Sequence, residues 1–316
     1  MQGKTLKKIC ALICGVVLCG SAIPCLSVSA ETTSDGYQQE TYYEYKPGNP
    51  NPVKEYTLDT RPPATETRSG SPIITDPRPV LTPLDQKIVN VGYTGTGAIV
   101  GDNAILTCAH AFINSNGKLW DLSGLQIVNS TESNNSGDNS CRKLVITGYH
   151  VPKEYVDGHN TDYDYAIITA KIDNGDGTYS DLSEYGHFDM GIPLDSLIDK
   201  PDELKTVRIS GFVYNSVFKD DITYAVLKTS TGIIQNYGAQ GSIPFYSSAI
   251  SAEGSSGAPT YIEKTYNGQK YQTIIGVSTG IWDTIRQGVG PAVSLRVDRM
   301  MLKFALSNPN VDDDFN

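Results

Sequence analysis

Apolar residues in this chain fall mostly into short runs separated by turn-forming clusters, and only once at helical spacing. The runs include Ile88-Val89-Asn90-Val91, Ala98-Ile99-Val100, Lys143-Leu144-Val145-Ile146, Ala166-Ile167-Ile168, Val207-Arg208-Ile209, Tyr224-Ala225-Val226-Leu227 and Thr273-Ile274-Ile275-Gly276-Val277. Turns such as Asn174-Gly175-Asp176-Gly177 and Asn267-Gly268 punctuate them. Many short strands with little helical patterning predict an all-β barrel or sandwich. The one helical stripe lies at the end, where Val297, Met300, Met301 and Phe304 share a face.

Two stretches depart from this pattern. Lys4, Lys7 and Lys8 precede the apolar run Ile9 to Leu18, which weakens toward Val28-Ser29-Ala30. A basic start, an apolar middle and a small-residue end describe a signal peptide over residues 1–30, cut after Ala30. Pro24 and the small residues around it interrupt the span that a membrane anchor would need. The residues before Cys14, Cys19 and Cys25 are Ile13, Leu18 and Pro24, none of them the small residue that lipid attachment requires. The second stretch, residues 31–75, is rich in Thr, Pro, Tyr, Glu and Ser and lacks apolar periodicity. Pro47-Gly48-Asn49-Pro50-Asn51-Pro52 and Arg61-Pro62-Pro63 argue against regular structure there. It is expected to be a pro-segment or flexible stalk, the pro-segment being preferred.

Length and charge narrow the class. A chain of 316 residues suits one large domain or two small ones. The remaining residues, 76–316, are expected to form two barrels, roughly 76–185 and 186–316. Removing residues 1–30 takes away three of 25 basic residues and none of 35 acidic ones, leaving a net charge of −13. That surface disfavours nucleic acid and anionic membranes as partners and favours solubility; with the signal peptide, a secreted, soluble protein is expected, taken as a monomer. Four of the six cysteines leave with the signal peptide. Cys108 and Cys141 remain, and in an oxidising compartment they are expected to form one disulfide. Two cysteines are too few for a thiolate zinc site, and His150 and His159 show no ligand spacing with them, so no metal site is expected.

The candidate chemistry lies in three segments. Gly254-Ser255-Ser256-Gly257-Ala258-Pro259 holds a serine in a glycine-flanked turn. A serine hydroxyl needs an imidazole to take its proton and a carboxylate to orient that imidazole. His110 ends the run Ala104-Ile105-Leu106-Thr107-Cys108-Ala109, with Gly97-Ala98-Ile99-Val100-Gly101 upstream to complete a hairpin. His150, His159 and His187 lie in polar, loop-like surroundings without that framing. Asp164 opens the apolar run Tyr165-Ala166-Ile167-Ile168. Asp162, two residues earlier, competes with it, but Asp164 directly precedes the buried-looking strand. Gly254 is suited to aim its N–H, together with that of Ser256, at a developing oxyanion. A Gly-x-Ser-x-Gly elbow fails because Ala258 stands where the second glycine would be.

Taken together, the histidine block (97–110), the aspartate block (Tyr163 to Ile167) and the serine block (254–259) resemble those of trypsin-like serine proteases. The nearest resemblance is to the bacterial glutamyl endopeptidase branch. Ile275-Gly276-Val277-Ser278-Thr279-Gly280 is similar to that family's substrate-binding strand. The resemblance implies an all-β double barrel of the chymotrypsin type, closed here by a C-terminal helix. It also implies an endopeptidase acting on proteins or peptides without a cofactor, with Ser256 as nucleophile, His110 as base and Asp164 as orienting carboxylate. Ser278, Thr279 and Gly280 would pair with extended substrate, and Ile250 would stand at the pocket floor. Two departures matter. Ser278 replaces the histidine with which the branch recognises a glutamate side chain, so an uncharged preference is expected. Ser255 replaces the aspartate that animal members use to hold a freed N-terminus. A catalytically silent binding protein or an esterase on the same scaffold are the alternatives.

Overall fold

The apolar runs become strands, and many are buried on both faces. In the computed structural model, described residues are 38–61, 78–119, 127–129, 143–212, 227–237, 244–282, 289–298 and 301, apart from 47, 82–84, 92–94, 115 and 194. The first sheet contains β1 (Gln38–Tyr45), β2 (Lys54–Arg61), β3 (Ile88–Val91), β4 (Gly95–Gly101), β5 (Ala104–Thr107), β6 (Ile127–Asn129), β7 (Lys143–Pro152), β8 (Ala166–Asp173) and β9 (Tyr179–Ser180). Its order is β2-β1-β7-β6-β3-β4-β5-β8-β9, and pairing of β7 with β8 closes six of these strands into a barrel. The second sheet contains β10 (Asp189–Met190), β11 (Thr206–Phe212), β12 (Leu227–Tyr237), β13 (Pro244–Ala252), β14 (Pro259–Tyr266), β15 (Gln269–Ile281) and β16 (Val289–Arg296). Its order is β10-β15-β14-β11-β12-β13-β16, and pairing of β15 with β16 closes the second barrel. One short helix, α1 (Lys153–Gly158), follows β7.

Why the runs are continuous, and not alternating, follows from where their side chains go. Ile99, Ile105 and Ile168 fill the first barrel. Their neighbours Ala98, Leu106 and Ile167 point the other way, into a cluster with Phe212, Tyr261, Ile274, Val277 and Leu295 of the second barrel. Successive residues of a strand face opposite sides, so a strand with a core on each side must be apolar at every position. Val207, Ile209, Ile234, Phe245 and Ile275 fill the second barrel. At about 1.5–3 kcal/mol for each fully buried Val, Leu, Ile or Phe, the middle cluster contributes to stability alongside the barrel interiors.

The N-terminal segment departs from expectation. Residues 38–61 form regular structure: β1 and β2 pair as an antiparallel hairpin, and β1 pairs with β7 from Tyr42↔Pro152 to Tyr45↔Tyr149. Tyr45 is fully buried in the first barrel's core, and Tyr43 packs against that core. Lys153 reaches the Tyr43 hydroxyl and pairs with Asp157 at 2.8 Å. The proline-rich stretch is confined to the turn between the strands, where no ladder hydrogen bonds are needed. Alternate tyrosines at 43 and 45 supply the period-two signal of the strand.

At the other end, Val297 and Met301 are buried in the inter-barrel cluster. Asp298 accepts a hydrogen bond from the Met301 N–H at 2.8 Å, as an N-cap carboxylate does at the third helical position. The rest of the expected helix, the signal peptide and the 224–226 part of one expected strand lie outside the described residues. Among the described residues, no helix is long and apolar enough to cross a membrane.

Candidate active site

Strand register brings His110 and Asp164 together. β5 and β8 are antiparallel neighbours with Thr107 opposite Ala166. The chain leaving β5 therefore rises beside the chain entering β8. His110 stands in a 3₁₀ turn, Ala109–Ala111, three residues past Thr107. Asp164 stands two residues before Ala166, at the end of the turn Thr161–Tyr163. Asn160 caps that turn by accepting from the Asp162 N–H at 3.1 Å. Both carboxylate oxygens of Asp164 are committed to His110: Oδ1 accepts from the backbone N–H at 2.9 Å and Oδ2 bonds ring Nδ1 at 2.7 Å. Asp162 is as buried as Asp164, but it is Asp164 that meets the imidazole.

This bond sets the electronic state of the ring. The Asp164 side chain is 5% exposed and that of His110 35%. Burial by itself opposes the imidazolium, but the Asp164 carboxylate overrides it and holds the His110 pKa well above the usual histidine value. An ionised carboxylate can only accept, so the neutral ring keeps its proton on Nδ1 and presents a lone pair at Nε2. His150, in β7, is buried and pushed down to about 4, chiefly by that burial. His159 caps α1 in a left-handed conformation, and His187 lies beside its neighbour's carbonyl.

The serine turn connects β13 to β14 and is clamped across the barrel interface. Thr96, in β4 of the first barrel, donates its N–H to the Ser256 carbonyl at 2.7 Å and its hydroxyl to the Gly254 carbonyl at 2.9 Å. Thr107 in turn donates to the Thr96 carbonyl at 2.8 Å. A Cβ on Gly95 would sit 2.6 Å from the Ser256 carbonyl oxygen and 3.8 Å from Ala111 Cβ, so the serine turn and the histidine turn converge on that glycine. Gly257, at φ +82°, packs so tightly that a Cβ would overlap Thr107 Oγ1 and the Thr96 carbonyl. Gly254 has φ +90°, a conformation that favours glycine. The N–H groups of Ser255, Gly257 and Ala258 go to Ala252, Ser278 and Ser255 carbonyls at 2.9, 2.7 and 3.0 Å. Those of Gly254 and Ser256 take no part in this network of the described residues. Ser256 itself is half-buried.

The residues expected to receive substrate also converge. β16 lies between β13 and β15, with Ile250 opposite Pro291 and Ser278 opposite Ser294. The Ser278 and Ser251 hydroxyls bond each other at 3.1 Å, both fully or almost fully buried. Thr279 is buried, Ile250 and Gly280 are partly exposed, and none of the five carries an ionisable group.

The expected disulfide is not seen. Cys108 is a buried free thiol and forms no bridge, and Cys141 lies outside the described residues. The Cys108 side chain turns into the histidine turn instead, with Sγ 3.6 Å from His110 Nε2. Sequence reasoning also missed Gly95, Thr96 and Thr107. Gly95 and Thr96 act on a turn more than 150 positions away, and Thr107 acts by bonding Thr96 and packing against Gly257, so no local pattern marks them.

Neither a protein-family model nor a curated protein matches the sequence. Among solved structures, the chain is similar to a Glu endopeptidase in complex with MPD, at 15% identity and a TM-score of 0.53. The match covers 74% of this chain and 97% of that one. The two closed barrels are thus those of the chymotrypsin fold.

Proposed function

We propose that this protein is a secreted serine endopeptidase that cleaves proteins or peptides through an acyl-enzyme, acting as a monomer without a cofactor. The observation that carries this reading is the double grip of Asp164 on His110, at 2.9 and 2.7 Å, beside a glycine-framed serine turn. Nε2, with its lone pair, accepts the Ser256 proton as Oγ attacks the substrate carbonyl. The Gly254 and Ser256 N–H groups, spare in the turn's own bonding, receive the negative charge that develops on the carbonyl oxygen. His110 then returns the proton to the departing amine, and water repeats the sequence on the ester. Asp164 stabilises the imidazolium formed between these steps. Because the carboxylate raises the His110 pKa, the ring is neutral, and therefore a base, only as pH climbs through that raised value.

Substrate in extended form would add a strand along Ser278 to Gly280. A pocket built from Ile250, Ser251 and Ser278 offers hydroxyl and aliphatic groups and no charge. An acidic or basic side chain buried there would go unpaired, at a cost of several kcal/mol. The similarity to a Glu endopeptidase supports the hydrolase reading, while Ser278 argues against a glutamate preference here.

The test is chemical. A fluorophosphonate probe should label Ser256, and Ser256→Ala should lose both the label and peptide cleavage. Labelling that persists in the alanine variant would falsify the nucleophile assignment.

A further inference from the structure

We propose that Cys108 and His110 form a binding site for a thiophilic divalent cation, zinc or cadmium, that switches the site off by occupying the base nitrogen. The proposed hydrolase has no use for Cys108, yet its Sγ lies 3.6 Å from His110 Nε2. Tetrahedral zinc, with bonds of about 2.3 Å to sulfur and about 2.0–2.1 Å to nitrogen, holds its two donor atoms about 3.5 Å apart. The pair is already at that separation.

The surroundings suit a metal as well as they suit a base. Cys108, His110 and Asp164 present ligand-type atoms within 4.8 Å of one another. Asp164 stands behind the ring at Nδ1, 2.7 Å away. A carboxylate accepting from the far nitrogen of a histidine fixes the tautomer and raises the basicity of the ligating one, and metal-binding histidines carry this support. The same bond that makes Nε2 a proton acceptor therefore makes it a metal ligand. Cys108 is fully buried, but the ring beside it is about one-third exposed. Binding displaces the thiol proton to solvent and forms metal–sulfur and metal–nitrogen bonds, with water in the open positions. A lone pair bound to metal cannot take the Ser256 proton. This inhibitory consequence rests on the proposed hydrolase; the binding itself does not.

The experiment is a cadmium titration of the full chain, read by the ultraviolet thiolate-to-cadmium charge-transfer band. The band that Cys108→Ala removes is the signal of the site, since the other cysteines contribute equally to both proteins. Asp164→Asn should weaken cadmium binding about 10–100-fold, and His110→Ala by at least as much. Cys108→Val supplies a second thiol-free variant of similar bulk in case alanine perturbs folding, which circular dichroism would reveal. An unchanged band in both Cys108 variants, or an affinity unmoved by His110→Ala, would overturn the site. In parallel, zinc should slow fluorophosphonate labelling of the parent, and slowing of equal size in the Cys108 variants would overturn the switch. A parent that never labels, with or without metal, would defeat the hydrolase reading while leaving the cadmium band to decide the site.

Discussion

Replacing Asp164 by asparagine tests the arrangement most directly, because the change is nearly isosteric and removes only charge and acceptor capacity. The carboxylate receives two hydrogen bonds from His110, at 2.9 Å from the backbone and 2.7 Å from Nδ1. Bonds to a charged group contribute about 1.5–3 kcal/mol each, so the two together are worth about 3–6 kcal/mol. If the asparagine carbonyl keeps the backbone bond, its amide NH₂ faces Nδ1. Nδ1 must then accept, and the ring proton moves to Nε2, the atom that should be the base. The loss of turnover expected for a wrong tautomer is about four orders of magnitude, or about 5 kcal/mol at 1.36 kcal/mol per tenfold. That exceeds the roughly 1.5–3 kcal/mol of the one bond lost at Nδ1, the remainder being the cost of a base nitrogen that carries the proton. A pH signature should accompany it. Asp164 raises the His110 pKa, so without its charge the ring loses its proton at lower pH, and the residual activity should persist to more acidic conditions. The assay is kcat and KM on a peptide substrate across pH for Asp164→Asn, with Asp162→Asn as the comparison. KM should change little in either, and Asp162→Asn should keep turnover within a few-fold of the parent. A drop of less than tenfold for Asp164→Asn, or a greater drop for Asp162→Asn, would refute the reasoning.

Three further outcomes are expected. Gly257→Ala should abolish labelling of Ser256, since its Cβ has no room beside Thr107 and Thr96 and its φ is +82°; normal labelling would mean that the turn is looser than the packing implies. Tyr45→Ala should lower stability by about 3–5 kcal/mol, as for other large aromatic truncations in a core, and urea unfolding should register it; a change under about 1 kcal/mol would place β1 outside the folding unit. Profiling on a peptide library should find an uncharged residue before the cleaved bond. Dominant cleavage after glutamate or aspartate would show that another group replaces the missing histidine.

How much of this was legible beforehand depended on whether the information was local. The barrel strands could be read because burial on both faces forces unbroken runs such as Ala166-Ile167-Ile168. His110, Asp164 and Ser256 could be read because each ends or opens such a run, or sits between glycines. The hairpin of residues 38–61 was hidden because its proline-rich turn outweighed two alternating tyrosines. Thr96 was hidden for a different reason: it lies 158 positions from the Gly254 carbonyl it holds. The turn of the Cys108 thiol toward His110 was hidden because a redox compartment says which cysteines are able to pair, whereas that turn is a matter of backbone path.

The docked hairpin changes what a processing cut would accomplish. With Tyr45 in the barrel core and β1 paired to β7, hydrolysis anywhere within residues 62–77 would sever the chain without expelling its N-terminal piece. A covalently tethered hairpin rebinds at an effective concentration near millimolar, whereas a severed one is governed by its own dissociation constant and by dilution. Maturation by such a cut would therefore yield a two-chain particle whose composition varies with protein concentration. An N-terminus found beyond residue 61 would then mark a nick, with the upstream peptide retained at high protein concentration and lost on dilution.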